Sequence, residues 1–273
     1  MSKLVTLAVA QVPSVLGDVE ANLEALTGYM ADAAARGARL VVFPECFLSG
    51  YMFEDRESAW RSAIAADDAP MQRIAAECAR LDIEIVVGFL ERRGGRLHNS
   101  AALLGPQGII GIHRKQHLPF LGGDRFVDEP EEAGLSLFDT RAGRLGIAIC
   151  YEIRFPEVMR TLALEGADLV ALPTNWPVQS VLLAEYFTRV RAAENFVYLL
   201  VANRADREGG AEFLGQSQIV DPSGTVLHNA GRDEGLTVAS VDLDRARDKS
   251  IIIEAGRFEL HPWKDRRPAS YRL

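Results

Sequence analysis

The sequence predicts one domain of mixed α/β or α+β architecture, in which β-sheets are covered by helices. Strand segments at residues 40–43 and 169–172 are apolar at every position, which indicates sheets that are buried on both faces. Strands alternate with helices in one part of the chain, whereas hairpin-like strand pairs occupy another, so we expect mixed sheets. No repeat, low-complexity segment or linker divides the chain. We therefore expect a single domain over residues 1–273, with a C-terminal tail from about residue 250 as a candidate subunit contact.

Runs of β-branched and apolar residues between turn residues predict the strands. In chain order the predicted strands lie at 4–12, 40–43, 83–90, 99–104, 109–114, 135–139, 145–149, 168–172, 198–202, 216–220, 225–227 and 237–241. Gly-rich segments at 92–96 and 105–108 predict the turns between three of these strands.

Apolar residues at helical spacing predict the helices. The predicted helices lie at 18–36, 55–81, 156–165 and 179–195. Gly37 ends the first of them, and Ala69-Pro70 is expected to break the second. Pro156 suits the first turn of the third helix, where its missing N–H costs nothing.

Composition restricts the class of protein. Hydrophobic residues make up 48% of the chain and charged residues 25%, so disorder is not expected, and the net charge of -8 argues against a nucleic-acid partner. The three cysteines are widely spaced, which argues against a disulfide framework and fits a reducing compartment. The histidines have no metal-ligand spacing, and neither a signal-peptide pattern nor an apolar run of membrane-spanning length is present. We expect a cytoplasmic protein without a metal or a membrane partner.

At Cys150 the sequence changes abruptly from apolar to polar residues. The apolar strand at 145–149 stops at this cysteine, and Phe155-Pro156-Glu157 then marks a helix start. A thiol in this place packs on the apolar residues of the strand, and the backbone N–H groups that follow it can bind an oxyanion. Both features suit a catalytic nucleophile. The alternative is simple packing, because free cysteine is among the most buried residue types.

Two further predicted strands end at residues whose side chains can take part in catalysis, Glu45 and Lys115. Reactive side chains in layered α/β folds gather at such strand ends. Alone, Glu45 could be a helix cap or a surface carboxylate, and Lys115 could be a solvated surface lysine. Together with Cys150 they form a coherent set for acyl transfer: a nucleophile, a general base and a cation for an oxyanion.

These residues and their surroundings resemble one family. Phe43-Pro44-Glu45, the segment His113 to His117 around Lys115, and the segment that follows Cys150 are similar, in order and spacing, to the Glu–Lys–Cys signature of the nitrilase, or carbon–nitrogen hydrolase, superfamily. The resemblance covers nearly the whole chain. It implies a four-layer α-β-β-α sandwich with two mixed sheets, and a homodimer or larger homo-oligomer.

The resemblance also implies a reaction, the hydrolysis of a small non-peptide amide to a carboxylic acid and ammonia. Cys150 is the expected nucleophile and carries a thioester intermediate, Glu45 is the general base, and Lys115 stabilises the oxyanion. A thiol has an ordinary pKa of ~8.5 and a neighbouring carboxylate raises it, so Glu45 is expected to take the proton as Cys150 attacks. This chemistry needs no cofactor and no metal.

One feature departs from the family pattern. Many members carry a second glutamate soon after the lysine, whereas here the corresponding segment offers Asp124, with Glu129 as the alternative. Aspartate is one methylene shorter than glutamate, so the backbone would have to bring it closer to its partners in the site. Asp124 is therefore the candidate for the second acid, and a surface-turn residue is its competing interpretation.

The candidate substrate-binding residues lie near these motifs. They are Tyr51, Phe120, Tyr151, Arg154, Asn175 and Trp176. Arg154 could clamp a substrate carboxylate with its planar guanidinium, or it could pair with Glu152 or Glu157. For the aromatic residues the alternative is core packing. The segment 119–130, with its paired glycines, is a candidate lid.

The segment after Cys150 is similar to the amidase branches that include omega-amidases. The alternative activity is hydrolysis of an N-carbamoyl amine or amino acid, which releases carbon dioxide as well. An alternative of a different class is a catalytically silent scaffold of the same fold, suggested only by the missing second glutamate. A papain-like hydrolase is disfavoured, because the partners of the cysteine are Glu and Lys and not a His oriented by Asn.

Overall fold

The computed structural model describes residues 4–271. The predicted domain limits at residues 1 and 273 therefore lie outside the described residues. Two six-stranded mixed sheets form the centre of the molecule. In spatial order the first sheet contains β14 (Gly235–Asp242), β1 (Leu4–Gln11), β2 (Leu40–Val42), β3 (Glu84–Arg93), β4 (Arg96–Gly105) and β5 (Gly108–Arg114). The second sheet contains β13 (Val226–Asn229), β12 (Gln218–Val220), β9 (Tyr198–Ala202), β8 (Leu169–Pro173), β7 (Gly143–Ile147) and β6 (Ser136–Thr140).

The two sheets have the same internal arrangement. In the first sheet β1, β2 and β3 are parallel to one another, and the outer strands are antiparallel to their neighbours. In the second sheet β7, β8 and β9 are parallel, again with antiparallel strands outside. Mixed sheets were predicted, and this prediction is confirmed.

Helices cover both outer faces. The helices are α1 (Val19–Ala35), α2 (Arg56–Ser62), α3 (Ala69–Leu81), α4 (Pro156–Leu164), α5 (Thr188–Asn195), α6 (Asp244–Arg247) and α7 (Pro262–Asp265). The apolar faces of α1 and α3 pack on the first sheet, and those of α4 and α5 pack on the second. Within residues 4–271, every helix is too short or too polar to cross a lipid bilayer.

The continuously apolar strands are explained by two cores. In β1, Leu7 and Val9 face the second sheet, whereas Ala8 and Ala10 face the helices α1 and α3. Because side chains alternate between the faces of a strand, a strand buried on both faces must be apolar at successive positions. The result is the expected four-layer α-β-β-α sandwich.

The structure adds detail to two of the predicted helices. The segment 55–81 is two helices separated by the non-helical residues 63–68, and Pro70 lies in the first turn of α3 and does not break a helix. Proline suits the first turn because the N–H it lacks would have no partner there. The predicted helix 179–195 is confirmed as a continuous helical segment, in which a short 3-10 turn (Val178–Ser180) and a π-helical turn (Leu183–Phe187) lead without a break into α5.

Other elements were missed or differ in length. The strand predicted at 145–149 ends at Ile147, and β3 and β4 extend further than predicted, into a hairpin around two glycines. The small ribbon β10 (Arg207–Glu208) with β11 (Ala211–Glu212) was not predicted, nor were α6, α7 and the ribbon β15 (Ile251–Glu254) with β16 (Phe258–Leu260). The last ribbon lies in the C-terminal tail and is exposed.

Candidate active site

Three strand ends bring the predicted chemical groups to one place. Glu45 follows β2, Lys115 follows β5, and Cys150 follows β7 across the interface between the sheets. The three residues are buried, with 1%, 1% and 6% of their surfaces exposed. Carboxylate and ammonium groups are almost never this buried unless they are paired, so the cluster has a specific electrostatic arrangement.

Lys115 lies between two carboxylates. Its Nζ donates to Oε1 of Glu45 over 2.6 Å and to Oδ2 of Asp124 over 2.6 Å. Asp124 is buried in this cluster, whereas Glu129, the alternative second acid, is exposed. The structure thus places Asp124 beside the Lys115 ammonium.

Asn99 is a member of the cluster that the sequence analysis did not identify. Its Nδ2 donates to Oε1 of Glu45 over 2.8 Å and to Oδ1 of Asp124 over 2.7 Å. The signal in the sequence was a run of polar residues, His98-Asn99-Ser100, inside an otherwise apolar strand. Because successive side chains point to opposite faces of a strand, such a run indicates buried polar groups on both faces, although it does not show their partners.

Tyr51 is held against the second acid. Its hydroxyl donates to Oδ2 of Asp124 over 2.8 Å and also lies 3.1 Å from the backbone carbonyl oxygen of Leu121. Gly122 has φ +50, and a Cβ there would lie 2.7 Å from ring atoms of Tyr51. Glycine therefore lets the backbone approach the ring closely, which allows the short side chain of Asp124 to reach Lys115.

Cys150 begins a tight 3-10 turn (Cys150–Arg154) with φ +49. A non-glycine residue rarely adopts this left-handed conformation, and such strain is found mostly at functional positions. Strand β7 ends before the turn because the N–H of Ile149 donates to Oε2 of Glu152 over 2.7 Å and not to a neighbouring strand.

Glu152 joins the cysteine turn to the lysine segment. Oε2 of Glu152 also contacts Nε2 of His113 at 2.9 Å, and Oε1 accepts from the backbone N–H of Gln116 over 2.8 Å. Burial raises the pKa of Glu152, but the nearby His113 and His117 and the N–H of Ile149 more than offset it, so its pKa lies well below the ordinary value. A buried, ionised carboxylate thus fixes the position of Cys150 relative to Lys115.

The environment shifts the pKa values of the central groups. Burial raises the pKa of Glu45, which Lys115 and the Asn99 hydrogen bond partly oppose. Burial, followed by the charge of Glu45, raises the pKa of Cys150 above its ordinary value. Burial lowers the pKa of Lys115, but Asp124 and Glu45 together hold it well above its ordinary value. The lysine is a permanent cation, and the thiol is protonated at neutral pH.

The backbone around Glu45 is positioned from both sheets. Nδ2 of Asn175, which follows β8, donates to the backbone carbonyl of Glu45 over 2.8 Å. On the other side lies Gly88 of β3, where a Cβ would be 2.6 Å from Cα of Glu45 and from the carbonyl oxygen of Pro44. A glycine in the middle of a buried strand is the sequence signal for such a close approach.

The other predicted substrate-binding residues differ in how deeply they are buried. Trp176 is buried beside Asn175, and Tyr151 is half-buried with its ring edge-to-face against Phe155. Phe120 is 90% exposed and Arg154 is exposed, so neither belongs to the buried cluster. Within residues 4–271, the guanidinium of Arg154 forms no ion pair with Glu152 or Glu157.

The candidate lid at 119–130 is attached to the body at several points. Asp124 is bonded within the cluster, and Asp128 pairs with Arg56 over 2.6 Å and accepts from the N–H of Leu97 over 2.8 Å. Among the described residues, no cluster of three His, Cys, Asp or Glu side chains could hold a metal ion.

Comparison with known proteins reveals similarity over nearly the whole chain. A nitrilase of Pyrococcus abyssi is 36% identical over 253 residues, which cover 91% of this chain and 94% of that protein. An N-carbamoylputrescine amidase of Arabidopsis thaliana is 31% identical over 281 residues, with 94% and 90% covered.

Structural comparison gives a consistent result. The crystal structure of an amidase from Nesterenkonia sp. superimposes with a TM-score of 0.80 at 25% identity, covering 91% of this chain and 94% of that one. Variants of that amidase have been solved in complex with acrylamide and with butyramide. The family model described as carbon-nitrogen hydrolase matches residues 6–250. This chain therefore belongs to the carbon–nitrogen hydrolase family.

Proposed function

We propose that this protein hydrolyses a small non-peptide amide to a carboxylic acid and ammonia through a thioester on Cys150. The observation that carries this proposal is the buried acid–lysine–acid cluster beside the strained cysteine turn. Within that cluster Oε2 of Glu45 is buried and has no hydrogen-bond partner among the described residues. A carboxylate oxygen with a free lone pair, close to a protonated thiol, is suited to act as a general base.

The first step is attack on the amide carbonyl. Oε2 of Glu45 accepts the thiol proton as Sγ of Cys150 bonds to the carbonyl carbon, and the carbonyl oxygen becomes an oxyanion. Because the pKa of Cys150 is raised, a stored thiolate is disfavoured and the proton must leave during the attack. General base catalysis of this kind contributes roughly 10²–10⁴-fold to the rate.

Lys115 is assigned to the oxyanion. An ammonium has three N–H donors, and within residues 4–271 two of them bond to Glu45 and Asp124, which leaves one for the substrate oxygen. The backbone N–H of Tyr151 is the second proposed donor. A cation about 4 Å from a unit negative charge contributes on the order of 4 kcal/mol at intermediate dielectric.

The second half of the reaction reverses these roles. Protonated Glu45 gives its proton to the leaving nitrogen, the carbon–nitrogen bond breaks, and ammonia departs. Glu45 then takes a proton from water, which attacks the thioester. The carbon–sulfur bond breaks, Glu45 returns the proton to Sγ of Cys150, and the carboxylic acid departs. Asp124 accepts from Lys115, Asn99 and Tyr51, and its proposed role is to hold Lys115 in place throughout.

The proposed binding residues surround this centre. Asn175 and Trp176 are proposed to line the pocket together with Tyr51 and Tyr151. Arg154 and Phe120 are exposed, and we propose that Arg154 pairs with a carboxylate on the substrate while Phe120 covers the entrance. An acidic amide, such as the monoamide of a dicarboxylic acid, would match that arrangement.

The second candidate is an N-carbamoyl amine or amino-acid hydrolase. It is supported by the similarity to an N-carbamoylputrescine amidase, and it uses the same three residues. A silent scaffold is disfavoured, because Asp124 occupies the place beside Lys115 that a second acid needs.

The assembly and location proposed for the protein follow the sequence analysis. We propose a homodimer or larger homo-oligomer in which the tail from about residue 250 contacts a neighbouring subunit. The exposed Ile252, Ile253 and Phe258 of the tail ribbon support this proposal, because apolar side chains gain stability when a partner covers them. The three free cysteines support a cytoplasmic location.

The decisive experiment measures ammonia release from a panel of amides by wild type and by Cys150→Ala. The panel contains monoamides of dicarboxylic acids, aliphatic amides, an amino-acid amide and N-carbamoyl compounds, and carbon dioxide is measured in parallel. Hydrolysis that disappears in Cys150→Ala supports the proposal, and stoichiometric carbon dioxide supports the second candidate. Equal activity of the two proteins would contradict the assignment of Cys150.

A further inference from the structure

We infer that Asn99 is a positioning residue that selects which oxygen of Glu45 acts as the base. It does so by binding Oε1, so that Oε2 is left to accept the proton of Cys150. Asn99 does not touch the reacting atoms in this account, and its role rests on the proposed function of Glu45.

The geometry of Asn99 leaves it little freedom. It lies in β4 and is 2% exposed, and its backbone carbonyl accepts the N–H of Lys115 over 2.9 Å. The side chains of Asn99 and Lys115 therefore start from adjoining positions of neighbouring strands. The amide of Asn99 donates to both acids of the cluster, at 2.8 Å and 2.7 Å. The opposite orientation of the amide would direct its oxygen at two carboxylates, which electrostatic repulsion disfavours.

The two oxygens of Glu45 are made unequal by these donors. Oε1 accepts from both Lys115 and Asn99, whereas Oε2 is buried and has no partner among the described residues. A carboxylate oxygen that already accepts two strong hydrogen bonds is a poor proton acceptor. The proton must therefore go to Oε2.

The same donors separate the roles of the two acids. Asp124 accepts from Asn99 at Oδ1 and from Lys115 and Tyr51 at Oδ2, so both of its oxygens are occupied. Glu45 has one occupied oxygen and one free oxygen. Of the two carboxylates that share Lys115, Glu45 can therefore act as a base, whereas Asp124 holds the lysine in place. Besides Lys115, Asn99 is the only described residue that bonds to both side chains.

Removal of the amide should alter both the position and the acidity of Glu45. The Asn99 hydrogen bond lowers the pKa of Glu45, so Asn99→Ala should raise that pKa further. We expect the acid limb of the pH–rate profile to move upward by about one pH unit, and kcat to fall roughly 10- to 100-fold with KM little changed. Asn99→Ser keeps one donor and should lie between wild type and Asn99→Ala.

The test uses alkylation of Cys150 by iodoacetamide, which needs no turnover of substrate. Its rate is measured by mass spectrometry from pH 4 to pH 9 in wild type, Asn99→Ala, Asn99→Ser and Glu45→Gln. Ser100→Ala is the matched control, because it removes a buried hydrogen bond, to Oε2 of Glu91, from the next residue of the same strand. Thermal unfolding of each variant shows that it is folded.

We expect an acid limb that is absent in Glu45→Gln, shifted upward in Asn99→Ala and unchanged in Ser100→Ala. If Asn99→Ala or Asn99→Ser is folded and its acid limb lies at the same pH as in wild type, the inference is overturned. An equal shift of the acid limb in Ser100→Ala would also overturn it. If no amide is hydrolysed but the limb still shifts, the role of Asn99 stands and the proposed reaction fails. An acid limb that persists in Glu45→Gln would overturn both.

Discussion

Asn175 donates its side-chain amide to the backbone carbonyl of Glu45 over 2.8 Å, and this bond links the two sheets at the centre of the site. Glu45 follows a strand of the first sheet and Asn175 follows a strand of the second. The bond therefore fixes the proposed base relative to the sheet that carries Cys150. Since the carbonyl is buried, no solvent molecule can replace the amide without cost.

We expect Asn175→Ala to lower both stability and activity. The unpaired Glu45 carbonyl should cost about 1–3 kcal/mol of unfolding free energy. A displaced base should lower kcat roughly 10- to 100-fold, because small errors in the position of a catalytic group are costly. Urea unfolding and amide hydrolysis by the same preparations measure the two effects.

The matched control is Asn195→Ala. Asn195 is buried, and its amide donates to the backbone carbonyl of Arg191 over 2.9 Å and to Oε1 of Glu194 over 3.4 Å. Like that of Asn175, its Oδ1 has no partner among the described residues. Asn195 lies in α5, outside the cluster. A similar loss of stability with unchanged kcat is expected, and an equal loss of kcat in both variants would refute a specific role of Asn175.

Gly88 provides the space into which the backbone around Glu45 fits. A Cβ at Gly88 would lie 2.6 Å from Cα of Glu45, a distance that real Cβ atoms do not show, so the backbone would have to move. We expect Gly88→Ala to cost about 1–3 kcal/mol of unfolding free energy and to reduce kcat by roughly 100-fold.

Gly28→Ala is the control for this change. Gly28 lies in α1, and a Cβ there would meet no atom within 4 Å. Alanine in an exposed helix interior should stabilise the protein by about 0.5–1 kcal/mol and leave kcat unchanged. Wild-type activity in Gly88→Ala would show that the Glu45 segment is not held as the structure indicates.

The length of Asp124 should matter as much as its charge. Gly122 is packed against the ring of Tyr51, so the backbone has been brought close enough for an aspartate to reach Lys115. We expect Asp124→Glu, which keeps the charge but adds a methylene, to lower kcat roughly 10- to 100-fold because the buried site has no room for it.

Asp124→Asn separates charge from length. It preserves the size of the side chain and removes the carboxylate from Lys115, and it too should lower kcat. Measurement of kcat and KM for both variants distinguishes an effect of side-chain length from an effect of charge. If Asp124→Glu matched or exceeded the wild type, the backbone would not be what compensates for the shorter acid.

The arrangement of Glu45 and Lys115 could be anticipated from the sequence because both follow apolar strands, and strand ends converge in layered folds. Asn99 could not, because its partners depend on the register between β4 and β5, and a polar residue inside a strand does not reveal register. A helix break was expected at Ala69-Pro70, and the structure has it just before these residues, at 63–68. Proline suits both a helix interruption and a first turn, and only the surrounding structure decides which occurs.

The C-terminal tail shows another limit of sequence reasoning. Its ribbon, β15 with β16, is exposed, so neither apolar alternation nor helical spacing marks it clearly. Phe120 illustrates the same limit, since this apolar residue of the candidate lid was a candidate pocket wall and lies 90% exposed in the structure.

Glu152 should make stability depend on pH in a specific direction. Its pKa in the folded protein lies well below the ordinary glutamate value of ~4.3. The stabilisation is therefore complete above about pH 4.3 and is lost as the pH falls towards the folded-state pKa. We expect Glu152→Gln to cost about 3 kcal/mol at pH 7, because it removes a buried carboxylate that accepts from the N–H groups of Ile149 and Gln116, and the difference from wild type should shrink below about pH 4.

Glu84→Gln provides a control of opposite sign. Burial raises the pKa of Glu84 in the folded protein, so its ionised form opposes folding at neutral pH, and this penalty is relieved as the pH falls through the raised pKa. As the pH falls, the stability of wild type should therefore rise relative to Glu84→Gln between the raised pKa of Glu84 and about pH 4.3, whereas its advantage over Glu152→Gln shrinks only below about pH 4.3. Urea unfolding of the three proteins between pH 7 and pH 3.5 measures both trends. A constant difference between wild type and Glu152→Gln would mean that the carboxylate acts through packing alone, and that its charge does not hold the Cys150 turn to the Lys115 segment.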